Sequence, residues 1–208
     1  VIVKYMCKES ILEYLCKKLN ADVHKRRSLS KLIKGYDDNR TSDFRFDTEF
    51  VPVMNALKEV KICDPAIGSG AFPMGILMEI FEIVELFCNE KDAMKIWDVD
   101  NWEEDKSMVK LNIIQNSIYG VDIEKGAVDV ARLRFWLSLI VDEEEPKSLP
   151  NLDYKIVVGN SLVSTFEGEV VEIDWNIKFK NVDDSVLKIL SLNLSMTAYP
   201  PVWLTLQA

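Results

Sequence analysis

The run Asp64-Pro65-Ala66-Ile67-Gly68-Ser69-Gly70-Ala71-Phe72 stands between two apolar stretches, Val60 to Cys63 and Phe72 to Phe87. The first is short enough for a buried strand and the second long enough for a helix. Gly68 and Gly70 flank Ser69 and supply the permissive backbone that a tight strand-to-helix turn requires. Such a turn lets main chain approach a ligand closely, and the helix that follows offers N–H groups without intrahelical partners. No other segment restricts the possible folds as strongly.

The rest of the chain extends the pattern. Ile11, Leu12, Leu15, Cys16 and Leu19 have helical spacing, so Lys8 to Asn20 reads as a helix. His24 to Lys34 reads as a short basic helix, Tyr36 to Thr48 as a polar surface connection, and Glu49 to Leu57 as weakly helical. In the helix after the Gly turn, Glu79, Glu82 and Glu85 recur at every third position among apolar residues. Asn89 to Lys110 is polar and Trp-bearing, helical in parts. A second strand is expected at Ser117 to Asp122, a helix at Lys125 to Val141, and a third strand at Tyr154 to Val158. The acidic run Asp142 to Glu145 and Pro146 separate the last two. Phe166 to Phe179 alternates loosely, as a hairpin would.

Strand, Gly-rich turn, helix, strand, helix, strand argues an α/β fold with a mostly parallel sheet and helical crossovers. The expected division is an N-terminal helical segment over 1–58, an α/β domain over 59–165, and an extension over 166–208. Sheets of this kind bind ligands outside the carboxyl ends of their strands. The Gly turn, Asp122 and Gly159-Asn160-Ser161-Leu162 all fall at those ends.

Bulk properties narrow the partners. The 208 residues carry a net charge of -9, whereas a module that grips nucleic-acid phosphates by itself is usually basic. Cys7, Cys16, Cys63 and Cys88 form no C-x-x-C pair, and His24 is the single histidine, so neither a zinc site nor a disulfide framework is indicated. Reduced thiols in a cytoplasmic protein are the expectation. The most apolar stretch, Phe72 to Phe87, is interrupted by glutamates, and no membrane span is expected. A start at Val1 with no signal-like segment reads as a piece of a longer protein.

Three ligands are candidates for the turn. A P-loop needs Lys and then Ser or Thr after its last Gly, where Ala71 and Phe72 stand. A dinucleotide fingerprint needs Gly three residues after Gly70, where Pro73 stands. The third is S-adenosylmethionine. The stretch from Asp64 to Phe72 resembles motif I of adenine-specific DNA methyltransferases, roughly D-P-A-x-G-S-G-x-F, with every fixed position present. This resemblance implies a Rossmann-like S-adenosylmethionine-dependent methyltransferase fold, incomplete here. It implies that Asp64 faces the amino group of the cofactor's methionine moiety. Pro65, Ala66, Gly68, Ser69 and Gly70 would line that moiety, and Phe72 would pack near it.

Tyr119-Gly120-Val121-Asp122-Ile123-Glu124 resembles motif II of the same family. Asp122 would accept hydrogen bonds from the ribose hydroxyls, and Ile123 would face the adenine ring. An Asp closing a strand also serves as a helix cap. It lies about 50 residues beyond the turn, where a dinucleotide fold expects about 20, and Asn89 to Lys110 accounts for the excess as an inserted helical segment. The Gly159 to Leu162 turn resembles motif III, with Asn160 against the adenine's exocyclic amine and Ser161 beside it. Tyr5 to Leu15 resembles motif X, commonly Y-x-T-P followed by a helix that folds over the methionine end. Here Cys7 stands for Thr and Lys8 for Pro. Arg132 and Arg134, beside Phe135 and Trp136, either touch nucleic acid or solvate one edge of a buried helix.

The order X, I, II, III is similar to the gamma class, and Asn116 to Leu137 looks most like the methylase part of type IIG restriction–modification enzymes. The implied reaction is methyl transfer to the exocyclic amine of a flipped adenine in double-stranded DNA. The motif that orients that amine, N-P-P-Y, is missing. Tyr199-Pro200-Pro201-Val202 lacks the Asn and the aromatic residue, and Trp203 comes one position late. The expectation is a cofactor-binding part, inactive alone, whose DNA contacts lie mostly in other regions. An RNA or protein methyltransferase, or a non-catalytic cofactor-binding or specificity subunit, would share motifs I to III.

Overall fold

A computed structural model describes residues 2–35, 49–141, 152–162, 165–166 and 169–170. The described elements run α1 (Ile2–Lys18), α2 (Val23–Lys34), α3 (Phe50–Glu59), β1 (Ile62–Asp64), α4 (Ala71–Glu85), α5 (Lys91–Trp97), α6 (Trp102–Ser117), β2 (Ile118–Asp122), α7 (Lys125–Ile140), β3 (Ile156–Val158), β4 (Thr165–Phe166) and β5 (Glu169–Val170). β1, β2 and β3 lie side by side in that order, all parallel. The register pairs Asp64 with Gly120 and Asp122 with Val158, so the three carboxyl ends are brought to one edge of the sheet. This is the α/β arrangement expected from the order of elements.

Helix α1 begins at Ile2, six residues before the expected Lys8. The reason lies at position 8. A proline there would remove an amide donor and disfavour helix in the residue before it. Lys8 does neither, so the helix continues through it. Lys8 is buried at 4% exposure, its ammonium 4.0 Å from the Glu79 carboxylate of α4. Glu79 is buried in turn and lies 3.7 Å from Lys4. Glu79 therefore does not belong to a solvated acidic face with Glu82 and Glu85. It sits in the α1–α4 contact, where two ammonium groups offset the cost of its burial.

The inserted segment forms two helices, and α6 runs on to Ser117, directly into β2. Asn101 caps α6 by accepting from Glu103 N at 3.2 Å. Trp102 stacks on Phe81 of α4 with centroids 5.5 Å apart, and the buried Lys110 ammonium stands 4.5 Å from the same ring. A polar-looking sequence thus packs by its aromatic and long-chain groups. Asp22 caps α2 through Lys25 N at 2.8 Å. Phe50 of α3 meets Phe87 edge-on at 5.1 Å. A single apolar cluster joins residues of the N-terminal helices (Leu12, Leu32, Met54) to those of the α/β part (Ile80, Ile113, Phe135).

β4 and β5 form an antiparallel hairpin with Thr165 opposite Val170. It falls at the start of the expected hairpin. The remainder of Phe166 to Phe179, the surface connection Tyr36 to Thr48, the acidic run Asp142 to Glu145 and Tyr199 to Trp203 lie outside the described residues. No helix among the described residues is long and apolar enough to cross a membrane.

Candidate functional site

β1 delivers Asp64 to the edge where β2 delivers Asp122. Between β1 and α4 the chain folds back over the end of β2. Ile67 N donates to Val121 O at 3.0 Å, and the Ile67 side chain is buried. That fold-back depends on Gly120. A Cβ there would stand 2.2 Å from Ile67 Cδ1 and 3.0 Å from Ile67 Cβ. Gly68 N then donates to Asp122 Oδ2 at 2.8 Å. Asp122 Oδ1 accepts from Glu124 N at 2.9 Å. One carboxylate therefore joins the Gly turn to the start of α7. Glu124, not Asp122, is the N-cap of that helix, accepting from Gly126 N at 3.4 Å.

Gly68 and Gly70 have φ of +53° and +79°, in the region that side chains with a Cβ rarely adopt. No atom lies within 4 Å of a Cβ placed at Gly68, so the turn leaves open space on that side. At Gly70 a Cβ would meet Ala131 Cβ of α7 at 3.1 Å. Gly70 N donates to Ile67 O at 2.9 Å and closes the turn. Helix α4 starts at Ala71. Pro73, in its first turn, lacks only an N–H that would have had no intrahelical acceptor.

The two carboxylates differ electrostatically. Burial raises the Asp64 pKa above the usual range. A bond from Ala66 N at 3.1 Å opposes the shift, and the nearby Asp122 charge adds to it. The amide bonds from Glu124 and Gly68 hold Asp122 below its ordinary value. Two acidic groups beside an open Gly turn suit a ligand that presents cationic and hydroxyl groups.

At the third strand, Gly159 N donates to Asp122 O at 2.8 Å, which ties that turn to β2. Asn160 is exposed, and its side-chain carbonyl accepts from Leu162 N at 3.0 Å. That oxygen, expected to face a ligand amine, is already engaged in its own turn and keeps one lone pair for another donor. Ser161 is exposed beside it. Ile123 is 73% exposed, an apolar face beside Asp122. Pro65, Ala66 and Ser69 are exposed on the turn, and Phe72 is half-buried against the core.

Cys7 lies beneath the start of α4, next to the Gly turn. It is fully buried between α1 and α4, where its thiol donates to Phe72 O at 3.6 Å. A Cβ on Gly75 would approach its sulfur to 2.7 Å. α1 runs straight through Cys7, so the thiol lies in the helix contact beside the first turn of α4. Its pKa is pushed up to about 12, by burial first and then by the Glu79 charge.

Arg132 and Arg134 both donate to backbone carbonyls. Arg132 donates to Ile156 O of β3 through Nε at 3.0 Å and Nη2 at 2.6 Å, and pairs with Asp153 at 3.1 Å. Arg134 Nη1 donates to Ser69 O at 3.1 Å and Ser69 Oγ at 3.3 Å. Sequence reasoning singled out both residues but not these partners, since a basic residue on an amphipathic helix gives no sign of its partner. Gly120 was missed too. Its signal was legible: a glycine inside a strand pattern marks a close backbone approach.

A groove of about 650 Å³ along α2, rimmed by Arg26, Arg27, Lys31 and Lys34, lies apart from the strand ends. Glu13 and Glu9 of α1 pair with Arg26 and Lys34 there. Among the described residues no cluster of His, Cys, Asp and Glu could hold a metal ion.

Part of this chain is similar to a known sequence. A protein of Methanocaldococcus jannaschii, provisionally named a type II restriction enzyme and methyltransferase, is 36% identical over 135 residues. The match covers 62% of this chain and 11% of that protein. The chain therefore spans only a small part of its relative. No family model matches the chain, and no solved structure does.

Proposed function

We propose that the strand-end cradle binds S-adenosylmethionine and belongs to a methyltransferase of a restriction–modification protein. The observation that carries this reading is the bond from Gly68 N to the Asp122 carboxylate, which couples a Gly turn open at Gly68 to the end of the neighbouring strand. The cofactor would supply an electrophilic methyl group carried on a sulfonium. Asp64, half-buried at the end of β1, would accept from the cofactor's ammonium group. Asp122 has lone pairs beyond its two amide bonds and would accept from ribose hydroxyls. Ile123 would cover one face of the adenine, and Asn160 would meet its edge. The printed name of the Methanocaldococcus jannaschii relative supports the methyltransferase reading and its restriction setting.

The methyl acceptor we propose is the exocyclic amine of adenine in double-stranded DNA. The support is the match of Asp64 to Phe72 to the motif of that family. Duplex contacts would come mostly from regions other than this acidic chain. Calorimetric titration with S-adenosylmethionine, with NAD as control, tests the cofactor. Saturable binding of the first alone is expected, and binding of NAD instead overturns the reading. For the acceptor, the full-length protein is incubated with radiolabelled cofactor and duplexes containing or lacking adenine. Label in both duplexes alike would refute adenine.

A further inference from the structure

We propose that Arg134 is a positioning residue of the cofactor turn, holding the peptide between Ser69 and Gly70 in the orientation that keeps the cradle open. The inference rests on the cofactor reading above for its consequence, though the tether itself does not depend on it. Ser69 lies between two glycines in the left-handed region, at φ +53° and +79°. Glycine populates both halves of φ space readily, so such a segment loses much backbone freedom when fixed. The Ser69 carbonyl and the Gly70 N–H belong to one planar peptide. Gly70 N donates inward to Ile67 O at 2.9 Å, and the carbonyl accepts from Arg134 Nη1 at 3.1 Å. The plane is therefore held from both ends. The same nitrogen reaches Ser69 Oγ at 3.3 Å and fixes the side chain as well.

Arg134 sits one turn after Ala131, whose Cβ comes within 3.1 Å of the Cβ position at Gly70. That closeness brings α7 within reach of the turn and explains why position 70 must lack a side chain. Since α7 begins just after Asp122, the β2–α7 unit carries both the carboxylate that accepts from Gly68 N and the guanidinium that donates to the Ser69 carbonyl. If the guanidinium were lost, the carbonyl would be free to turn toward the ligand, where its negative end replaces the donors of the turn.

The test uses the full 208-residue chain with Arg134→Gln, Arg134→Lys and Ser69→Ala. Hydrogen exchange over residues 66–72 is followed without ligand, and S-adenosylmethionine affinity is measured by calorimetry. Arg134→Gln is expected to speed exchange in that segment and weaken affinity, each by about tenfold, the size of one lost charge-assisted bond. Exchange in β1, β2 and α6 should not change. Arg134→Lys should restore most of both effects, and Ser69→Ala, which keeps the carbonyl, should lose about threefold at most. Unchanged exchange at 66–72 in Arg134→Gln overturns the proposal. So does acceleration spread evenly over β1 and β2, which would mark Arg134 as a general packing residue. Absence of binding by the unaltered chain refutes the cofactor reading alone, while the exchange data still decide the tether.

Discussion

At Gly120 a single hydrogen atom in place of a side chain decides whether the turn can lie over β2. Gly120→Ala places a methyl group 2.2 Å from Ile67 Cδ1. The Ile67 tip is able to rotate, but its Cβ, at 3.0 Å, moves only with the backbone. We expect a loss of about 1–3 kcal/mol in urea unfolding, together with weaker S-adenosylmethionine binding, because the displaced turn carries Gly68 away from Asp122. Cys7 makes a prediction of opposite character. Its thiol is raised from 9.0 to about 12 when folded, so the neutral form is favoured in the native state. The contribution is fully present below pH 9.0 and is lost as pH rises toward 12. Native protein at pH 8 should therefore leave Cys7 unmodified by a thiol reagent after the more exposed Cys16, Cys63 and Cys88 have reacted. Mass spectrometry of the labelled peptides checks this, and equal labelling would contradict it.

Helix α7 and helix α1 act as whole elements rather than as surfaces. α7 grips β3 through Arg132, whose guanidinium spans Ile156 O and Asp153. Arg132→Gln should cost about 1–3 kcal/mol, most of it from the carbonyl bonds, since Asp153 is 67% exposed and its charge is screened. Faster hydrogen exchange in β3 than in β1 would localise the loss. α1 is held to α4 by Lys8 and Lys4 around Glu79. Replacing one member of a buried pair leaves its partner's charge poorly compensated, so Glu79→Gln is expected to destabilise by about 3 kcal/mol. Chemical unfolding measures it, and a change within error would show that the pair is dispensable. The length of α1 also follows from an element-scale effect. Its apolar spacing was legible from Ile11 to Leu19, but its beginning was not. Lys8 permits a helix without announcing where it starts.

Across the whole molecule, the N-terminal helices and the sheet share one apolar cluster, and the site stands on three strand ends held by that core. A ligand bound at those ends should stabilise the entire unit, by about 2.7 kcal/mol at a hundredfold excess over its dissociation constant. A rise in Tm with S-adenosylmethionine and none with NAD is the expected outcome in a thermal shift measurement. A rise of equal size with both would remove the ligand's specificity. What the sequence by itself determined was the local chemistry. The Gly turn, the strand-closing Asp122 and the Asn160 turn depend on residues near one another, and periodicity was enough to order them on a parallel sheet. Only the tertiary structure decided which groups meet across 50 or more residues. The partners of Asp122, Arg134, Glu79 and Cys7 are at sequence separations of 54, 65, 71 to 75 and 65. Hydrogen-bond donors, acceptors and thiols carry no label for a distant partner. Packing brings them within reach, and their roles are set there.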